Sequence, residues 1–195
     1  MTVVFGVLAL QGDWEAHGAI LTELGCRVRG VRTRRDLDEV VALVLPGGES
    51  SAMLRLMERE QLVDAMRGRI RAGMPVLATC AGVILLAEKV HPAQPSLGLL
   101  STDVERNAYG RQVHSTVAEV ELEPEFGRPS RMEGVFIRAP RITRVGGDVE
   151  VLGRWQEDPV LVRQGRLVAA TFHPELTSDR RVHELLRHMG EKSHV

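Results

Sequence analysis

Three residues of this chain carry side chains whose chemistries fit together: Cys80, His173 and Glu175. A thiol attacks as its thiolate, which requires a base. An imidazole base in turn needs an acceptor on its other ring nitrogen to fix the tautomer and stabilise the imidazolium. A cysteine, a histidine and a carboxylate supply those three roles, and the chemistry they imply is attack on an acyl carbon such as that of a carboxamide.

The local sequence around each residue suits its role. Cys80 lies in Thr79-Cys80-Ala81-Gly82, after the apolar stretch Pro75–Thr79 and before the helical run Val83–Ala87. A sharp strand-to-helix turn built from small residues lifts a nucleophile out of a sheet and places it beside helix N-terminal N–H groups that favour the thiolate. His173 ends the apolar stretch Leu167–Phe172 and precedes Pro174. A residue before proline is pushed toward extended geometry, where positions i and i+2 project to one side, so His173 and Glu175 are expected to face one site from extended chain. In Pro46-Gly47-Gly48-Glu49-Ser50, between a strand and a helix, the glycines leave backbone N–H groups able to approach a ligand oxygen. Gly47 and Gly48 are the expected oxyanion hole, with the Ala81 N–H as a further donor. The same glycines match neither GxxxxGK[ST] nor GxGxxG, which argues against a phosphate loop.

Taken singly, each segment has an ordinary explanation: a small residue at a strand end, a polar loop, a glycine turn. Their conjunction in one chain is what points to a site. The other cysteine, Cys26, stands between Gly25 and Arg27 without a turn signal and reads as core packing.

The elements that must position these residues alternate. Strands are expected over Thr2–Leu10, Cys26–Val31, Val40–Leu45 and Val76–Thr79, with helices over Trp14–Leu24 and Ser51–Arg71. Apolar strands joined by helical crossovers indicate a parallel sheet covered on both faces. From about Val113 the pattern changes to Val113–Leu122, Gly134–Arg138, Val149–Trp155, Val160–Arg163 and Leu167–Phe172 as strands, a mixed or antiparallel half, with one helix over Arg180–Met189. No repeat or long linker divides the chain, so a single domain over 1–195 is expected, with Glu191–Val195 as a frayed tail.

Bulk properties narrow the partners. The chain has 195 residues and is 44% hydrophobic, enough for one well-buried core. Its 25 basic and 26 acidic side chains leave a formal charge of -1, without the positive field that attracts nucleic acid or anionic lipid. No apolar run reaches the roughly 18 residues of a membrane helix and no basic leader precedes the first strand, so a cytoplasmic protein is expected. Two cysteines far apart form neither a disulfide framework nor a zinc pair, and no metal or cofactor is expected.

The combined motifs resemble the class I (triad) glutamine amidotransferases and, within them, the family of glutaminase subunits of pyridoxal 5′-phosphate synthase. The resemblance covers nearly the whole chain: GVLALQG at Gly6–Gly12, LPGGESS at Leu45–Ser51, TCAG at Thr79–Gly82, VERNAYGRQVHS at Val104–Ser115, VFIRAP at Val135–Pro140 and TFHPELTSDRRVHELL at Thr171–Leu186. The cysteine turn and HPE are shared by the whole class; VERNAYGRQ and FIRAP carry the narrower likeness. The resemblance implies a flavodoxin-like three-layer α/β sandwich with a mainly parallel central sheet and additional antiparallel strands. It implies Cys80 as nucleophile, His173 as base and Glu175 as its orienting carboxylate. L-glutamine would be contacted by Gly48, Glu49, Ser50, Arg106, Ile137 and Arg138, and a guanidinium suits the α-carboxylate of free glutamine. Gln11 would lie near the active site and the partner interface. Ammonia would pass to a (β/α)8-barrel synthase subunit assembled as a dodecamer, and this chain would hold no pyridoxal phosphate itself. A glutaminase serving another synthase is disfavoured by the narrower motifs, and a non-catalytic binding subunit by the intact triad. Ala78 departs from the family, in which glycine is common two residues before the nucleophile, and a slightly altered turn is expected there.

Overall fold

The computed structural model describes residues 3–108 and 115–192. The first half is built as expected: β1 (Val4–Leu8), α1 (Trp14–Glu23), β2 (Arg27–Val31), β3 (Ala42–Leu45) and β4 (Val76–Thr79) alternate with helices. A short α2 (Arg34–Asp38) lies between β2 and β3, and its apolar content is too small to show as periodicity. It starts at Thr33, whose hydroxyl accepts the Asp36 N–H while the Asp36 carboxylate accepts the Thr33 N–H.

The helix expected over Ser51–Arg71 is two helices, α3 (Ser50–Arg59) and α4 (Leu62–Arg71), separated at Gln61 in the left-handed region with φ 55°. The buried positions Met53, Leu54 and Met57 are followed by Leu62, five residues on, instead of a residue three or four away. That phase slip marks the break.

After β4 come α5 (Ala81–Leu86), β5 (Ala87–His91) and β6 (Leu100–Glu105), then β7 (Ser115–Leu122), β8 (Arg131–Ile137), β9 (Arg141–Val145), β10 (Glu150–Trp155), β11 (Asp158–Gln164), β12 (Leu167–Ala170) and α6 (Arg181–Glu191). The strand expected from Val113 begins, among the described residues, at Ser115. The tail expected from Glu191 is helical at its first residue, and residues 193–195 lie outside the described ones, as do 109–114 of the VERNAYGRQVHS segment. Strands β5, β6 and β9 were not legible in sequence. They form a separate three-stranded sheet in order β5-β6-β9 that packs Leu100, Val104 and Ile142 into the main core.

The large sheet has the order β2-β1-β3-β4-β12-β11-β10-β7-β8. Pairs from β2 through β12 are parallel and those from β12 through β8 antiparallel. Alternation along each strand feeds two cores. In β3, Leu43 and Leu45 point to the face covered by α3, α4 and α5, while Ala42 and Val44 point to the face with Val182 and Leu186 of α6 and Leu21 of α1. This gives the three layers. The parallel block also gathers the loops after β1, β3, β4 and β12 at one edge of the sheet, where open α/β sheets bind ligands, beside the point where chain order reverses between β1 and β3.

Candidate active site

Strands β4 and β12 are parallel neighbours in a register that aligns Thr79 with Ala170, so the residues after each strand emerge side by side. The Cys80 N–H continues the ladder by donating to the Ala170 carbonyl at 2.9 Å. The chain then turns into α5 with Cys80 at φ 46° and ψ -104°, a conformation non-glycine residues rarely adopt. Such strain persists only where surroundings enforce it. Gly82 lets the start of α5 pack this closely on β3, because a Cβ at that position would stand 2.2 Å from the Leu45 carbonyl oxygen. The expected elbow is present with its torsion concentrated at Cys80. Ala78 lies fully buried inside β4, paired with Leu45 and Ala169 in ordinary strand register, so an extended position there has no need of glycine.

His173 is pinned from the other side, its N–H donating to the Val135 carbonyl of β8 at 2.8 Å. Residues Pro174–Leu176 form a single 3-10 turn, which corrects the extended His-Pro-Glu expected from sequence. Proline fits the first position of a helical turn, where its missing N–H costs nothing, and the turn folds the glutamate back onto its histidine. His173 Nδ1 and Glu175 Oε1 are 2.7 Å apart. Both residues are buried.

The electrostatics follow from that geometry. Burial works against a charge on His173, but its hydrogen bonds with Cys80 and Glu175 outweigh it and push the imidazole up to about 10. Burial likewise opposes the Glu175 carboxylate, and the close approach of His17 and the hydrogen bond with His173 overcome it, holding the carboxyl well below the usual range. With Nδ1 committed to Glu175, Nε2 is the ring nitrogen left for Cys80. The Cys80 thiol also lies 3.8 Å from the Ile137 carbonyl at the end of β8.

These groups open onto a cleft of about 320 Å³, a size suited to an amino acid, lined by Gly47, Gly48, Glu49, Ser50, Cys80, Ala81, Arg106, Ile137, Arg138 and His173 together with Asp13, Ile84 and Asn107. The residues singled out from sequence are thus brought to one place. Gln11 does not line the cleft but braces it: its Oε1 accepts the Glu49 N–H at 2.9 Å. The glycines there have little room. A Cβ on Gly47 would strike the His173 ring at 2.4 Å, and one on Gly12, at φ 92°, would meet the Gly47 carbonyl oxygen at 1.9 Å. That carbonyl therefore faces Gly12, and in a planar trans peptide the Gly48 N–H lies on the opposite edge.

Glu49 caps α3, its carboxylate accepting the Ser51 and Ala52 N–H groups at 3.3 and 2.7 Å. Arg106 donates to Gln94 Oε1 at 2.6 Å and lies 3.5 Å from Glu49, leaving other guanidinium donors for a ligand. Gln94 also accepts from the Ser50 and Ser51 hydroxyls. Sequence reasoning missed Asp13, Ile84, Asn107 and Gln94, and it missed His17, Thr79 and His183 behind Glu175. The one available signal was His17, which shares the buried face of α1 with Ile20 and Leu21 at helical spacing.

Among the described residues no helix is long and apolar enough to cross a membrane, and no cluster of three or more His, Cys, Asp or Glu residues is suited to a metal ion.

Residues 7–192 match the sequence profile of the SNO glutamine amidotransferase family. A pyridoxal 5′-phosphate synthase subunit PdxT of Solibacter usitatus is 52% identical over 186 residues, covering 92% of this chain and 95% of its own. Its counterpart in Kosmotoga olearia is 48% identical, covering 92% and 93%. A solved structure of a glutamine amidotransferase superposes with a TM-score of 0.89 at 44% identity, over 96% of this chain and 98% of that one. PurLQS from Thermotoga maritima, at 15% identity and a TM-score of 0.72 over 96% of this chain and 99% of its own, shares the fold.

Proposed function

This chain belongs to the SNO glutamine amidotransferase family, and we propose that it is the glutamine-hydrolysing subunit of a pyridoxal 5′-phosphate synthase, with Cys80 as nucleophile, His173 as base and acid, and Glu175 as the carboxylate that orients it. The observation that carries this reading is the strained Cys80 elbow set against a hydrogen-bonded His173–Glu175 pair at the mouth of an amino-acid-sized cleft. Its metabolic destination rests on relatives that match over more than nine-tenths of both chains and are named as pyridoxal 5′-phosphate synthase subunits.

In the reaction, the Cys80 thiolate attacks the carboxamide carbon of L-glutamine. The oxyanion that forms is met by backbone N–H groups: that of Ala81, in the first turn of α5, and that of Gly48. The His173 imidazolium gives its proton to the amide nitrogen, the C–N bond breaks, and ammonia leaves behind a glutamyl thioester. His173, now neutral, takes a proton from water, which attacks the thioester; the C–S bond breaks, glutamate departs and the thiolate–imidazolium pair is restored. Glu175 stabilises the imidazolium at each step without taking its proton. Arg106 and Arg138, with Ile137, Gly48, Glu49 and Ser50, hold the amino-acid end of the substrate; Arg106 pairs with the α-carboxylate. No cofactor enters this chemistry.

Ammonia passes to a (β/α)8-barrel synthase subunit, assembled as a dodecamer with glutaminase subunits docked around it in a cytoplasmic setting. Two exposed apolar side chains, Ile137 at 39% and Leu176 at 45%, flank the triad, as a docking face over the mouth requires. Gln11, bonded to Glu49 at the same rim, belongs to that interface. Docking also gates the hydrolysis: Gly47–Gly48, with Gly48 at φ 150°, can flip its peptide and turn a donor into or out of the oxyanion site. Steady-state ammonia release with and without the synthase tests this. The reading expects a clear rise on addition of the partner, and equal rates would rule out gating.

A further inference from the structure

Behind the triad lies a second set of buried polar side chains that the mechanism above leaves unused. His17 on α1 and His183 on α6 are both fully buried. His17 Nδ1 is 2.9 Å from His183 Nε2. On its other edge, His17 Nε2 is 3.2 Å from the Thr79 hydroxyl and 3.3 Å from Glu175 Oε2. Glu175 Oε2 is the carboxylate oxygen that His173 does not use, and among the described residues it has no well-aligned hydrogen bond of its own. His17 Nε2 is the ring nitrogen that reaches it.

The protons in this chain can be assigned. His183 Nδ1 has no hydrogen-bond partner among the described residues. A buried N–H without an acceptor is costly, so Nδ1 carries the lone pair and the single proton of His183 is on Nε2. Burial drives His183 down to about 3 and keeps it neutral. Its Nε2–H then donates to His17 Nδ1, which puts the His17 proton on Nε2, aimed at Glu175 and Thr79. Each oxygen of Glu175 thus faces an imidazole N–H, from His173 on one side and His17 on the other.

We propose that His17 is a positioning residue for Glu175, its Nε2–H directed by His183 so that the carboxylate stays ionised and keeps Oε1 turned to His173. The proposal rests on the triad assignment above. The groups facing His17 are Glu175 from the 3-10 turn, Thr79 from β4 and His183 from α6, with the charge of Arg180, at the start of α6, bearing on His183. Without His17, Oε2 would be left buried with no compensation, the His173 imidazolium would lose stabilisation, and the Cys80 thiolate would form only at higher pH.

The experiment compares wild type, His17→Leu, His17→Gln and Cys80→Ala by glutamine hydrolysis in the synthase complex and by the pH dependence of Cys80 alkylation with iodoacetamide. His17→Leu is expected to lower kcat by about 10- to 100-fold, the scale on which lost outer hydrogen-bond partners act. KM should stay within about twofold and the alkylation limb should move up by about one pH unit. His17→Gln, whose amide nitrogen reaches the Nε2 position, is expected to recover most of kcat. A purely structural role would lower the melting temperature without moving the pH limb. A folded His17→Leu with wild-type kcat and alkylation profile, beside an inactive Cys80→Ala, overturns the role of His17 and leaves the triad standing; an active Cys80→Ala overturns both. Should His17→Leu not fold, His17→Gln against His17→Asn decides, because the Asn amide reaches only the Nδ1 position: about tenfold higher activity in the Gln variant supports the proposal, and equal activities overturn it.

Discussion

The two walls of the cleft are built by different means. On the wall proposed as catalytic, Cys80, His173 and Glu175 are buried, continue two adjacent parallel strands, and are held by backbone hydrogen bonds to Ala170 and Val135. On the wall proposed for recognition, Glu49, Arg106, Asn107, Ile137 and Arg138 are partly or largely exposed, come from loops and strand ends, and are tied mainly by side chains such as Gln94 and Gln11. Asn107 and Arg138 both adopt positive φ, 53° and 47°, as the loops bend toward the cleft. On the proposed reading, the groups that need placement to fractions of an ångström sit on the sheet, while those that would contact the ligand sit on loops and strand ends outside the core.

If the walls differ in this way, substitutions on them should differ in which kinetic constant they change. Cys80→Ala gives the largest effect: glutamine hydrolysis in the complex should fall by about 10^4-fold or more, while synthesis from added ammonia continues. Next is Glu175→Gln, which keeps the shape but loses the charge that holds the imidazolium; kcat should drop by about 10^2-fold or more with KM little changed. Arg106→Ala tests the other wall, where a charge-assisted hydrogen bond worth about 1.5–3 kcal/mol is removed; KM for glutamine should rise by about 10- to 100-fold while kcat moves far less. An Arg106→Ala variant that loses kcat at unchanged KM would break the distinction between the walls.

The smallest effect concerns stability. His173 is raised from 6.5 to about 10 on folding, so its stabilising contribution is fully present below about pH 6.5 and is lost as pH rises through about 10. Glu175 is depressed, so its contribution is present at neutral pH and is lost as pH falls below the ordinary carboxylate range. Melting curves of wild type and His173→Gln should therefore differ most near pH 6 and converge by a few degrees toward pH 10. A gap that widens with pH would contradict the thiolate–imidazolium arrangement.

The placement of Cys80 and His173 side by side was largely legible in sequence because its determinants are local: a run of small residues at Thr79–Gly82, and a histidine at a strand end before Pro174. What local reasoning misjudged was the route from His173 to Glu175, since a residue preceding proline is biased toward extended chain while the following residues remain free to form a 3-10 turn. The break at Gln61 was hidden because a single five-residue step from Met57 to Leu62 is a small slip in an otherwise helical spacing, and the small sheet of β5, β6 and β9 was hidden because β5 and β9 lack clean alternation and the pairing has irregular registers. His17, Gln94 and Asn107 escaped notice for another reason. They make tertiary contacts with Glu175, Arg106 and the cleft, and the helical spacing that buries His17 does not say which partner it meets.

The central claim, that Cys80 is the nucleophile of a glutamine-binding site, is tested most directly by labelling the synthase complex with a glutamine-analogue electrophile and mapping the modified peptide. The account predicts one adduct, on the Cys80 peptide, formed more slowly when L-glutamine is present. An unlabelled Cys80 peptide, or an adduct on Cys26 that glutamine does not protect, in a preparation that still releases ammonia from glutamine, would contradict it.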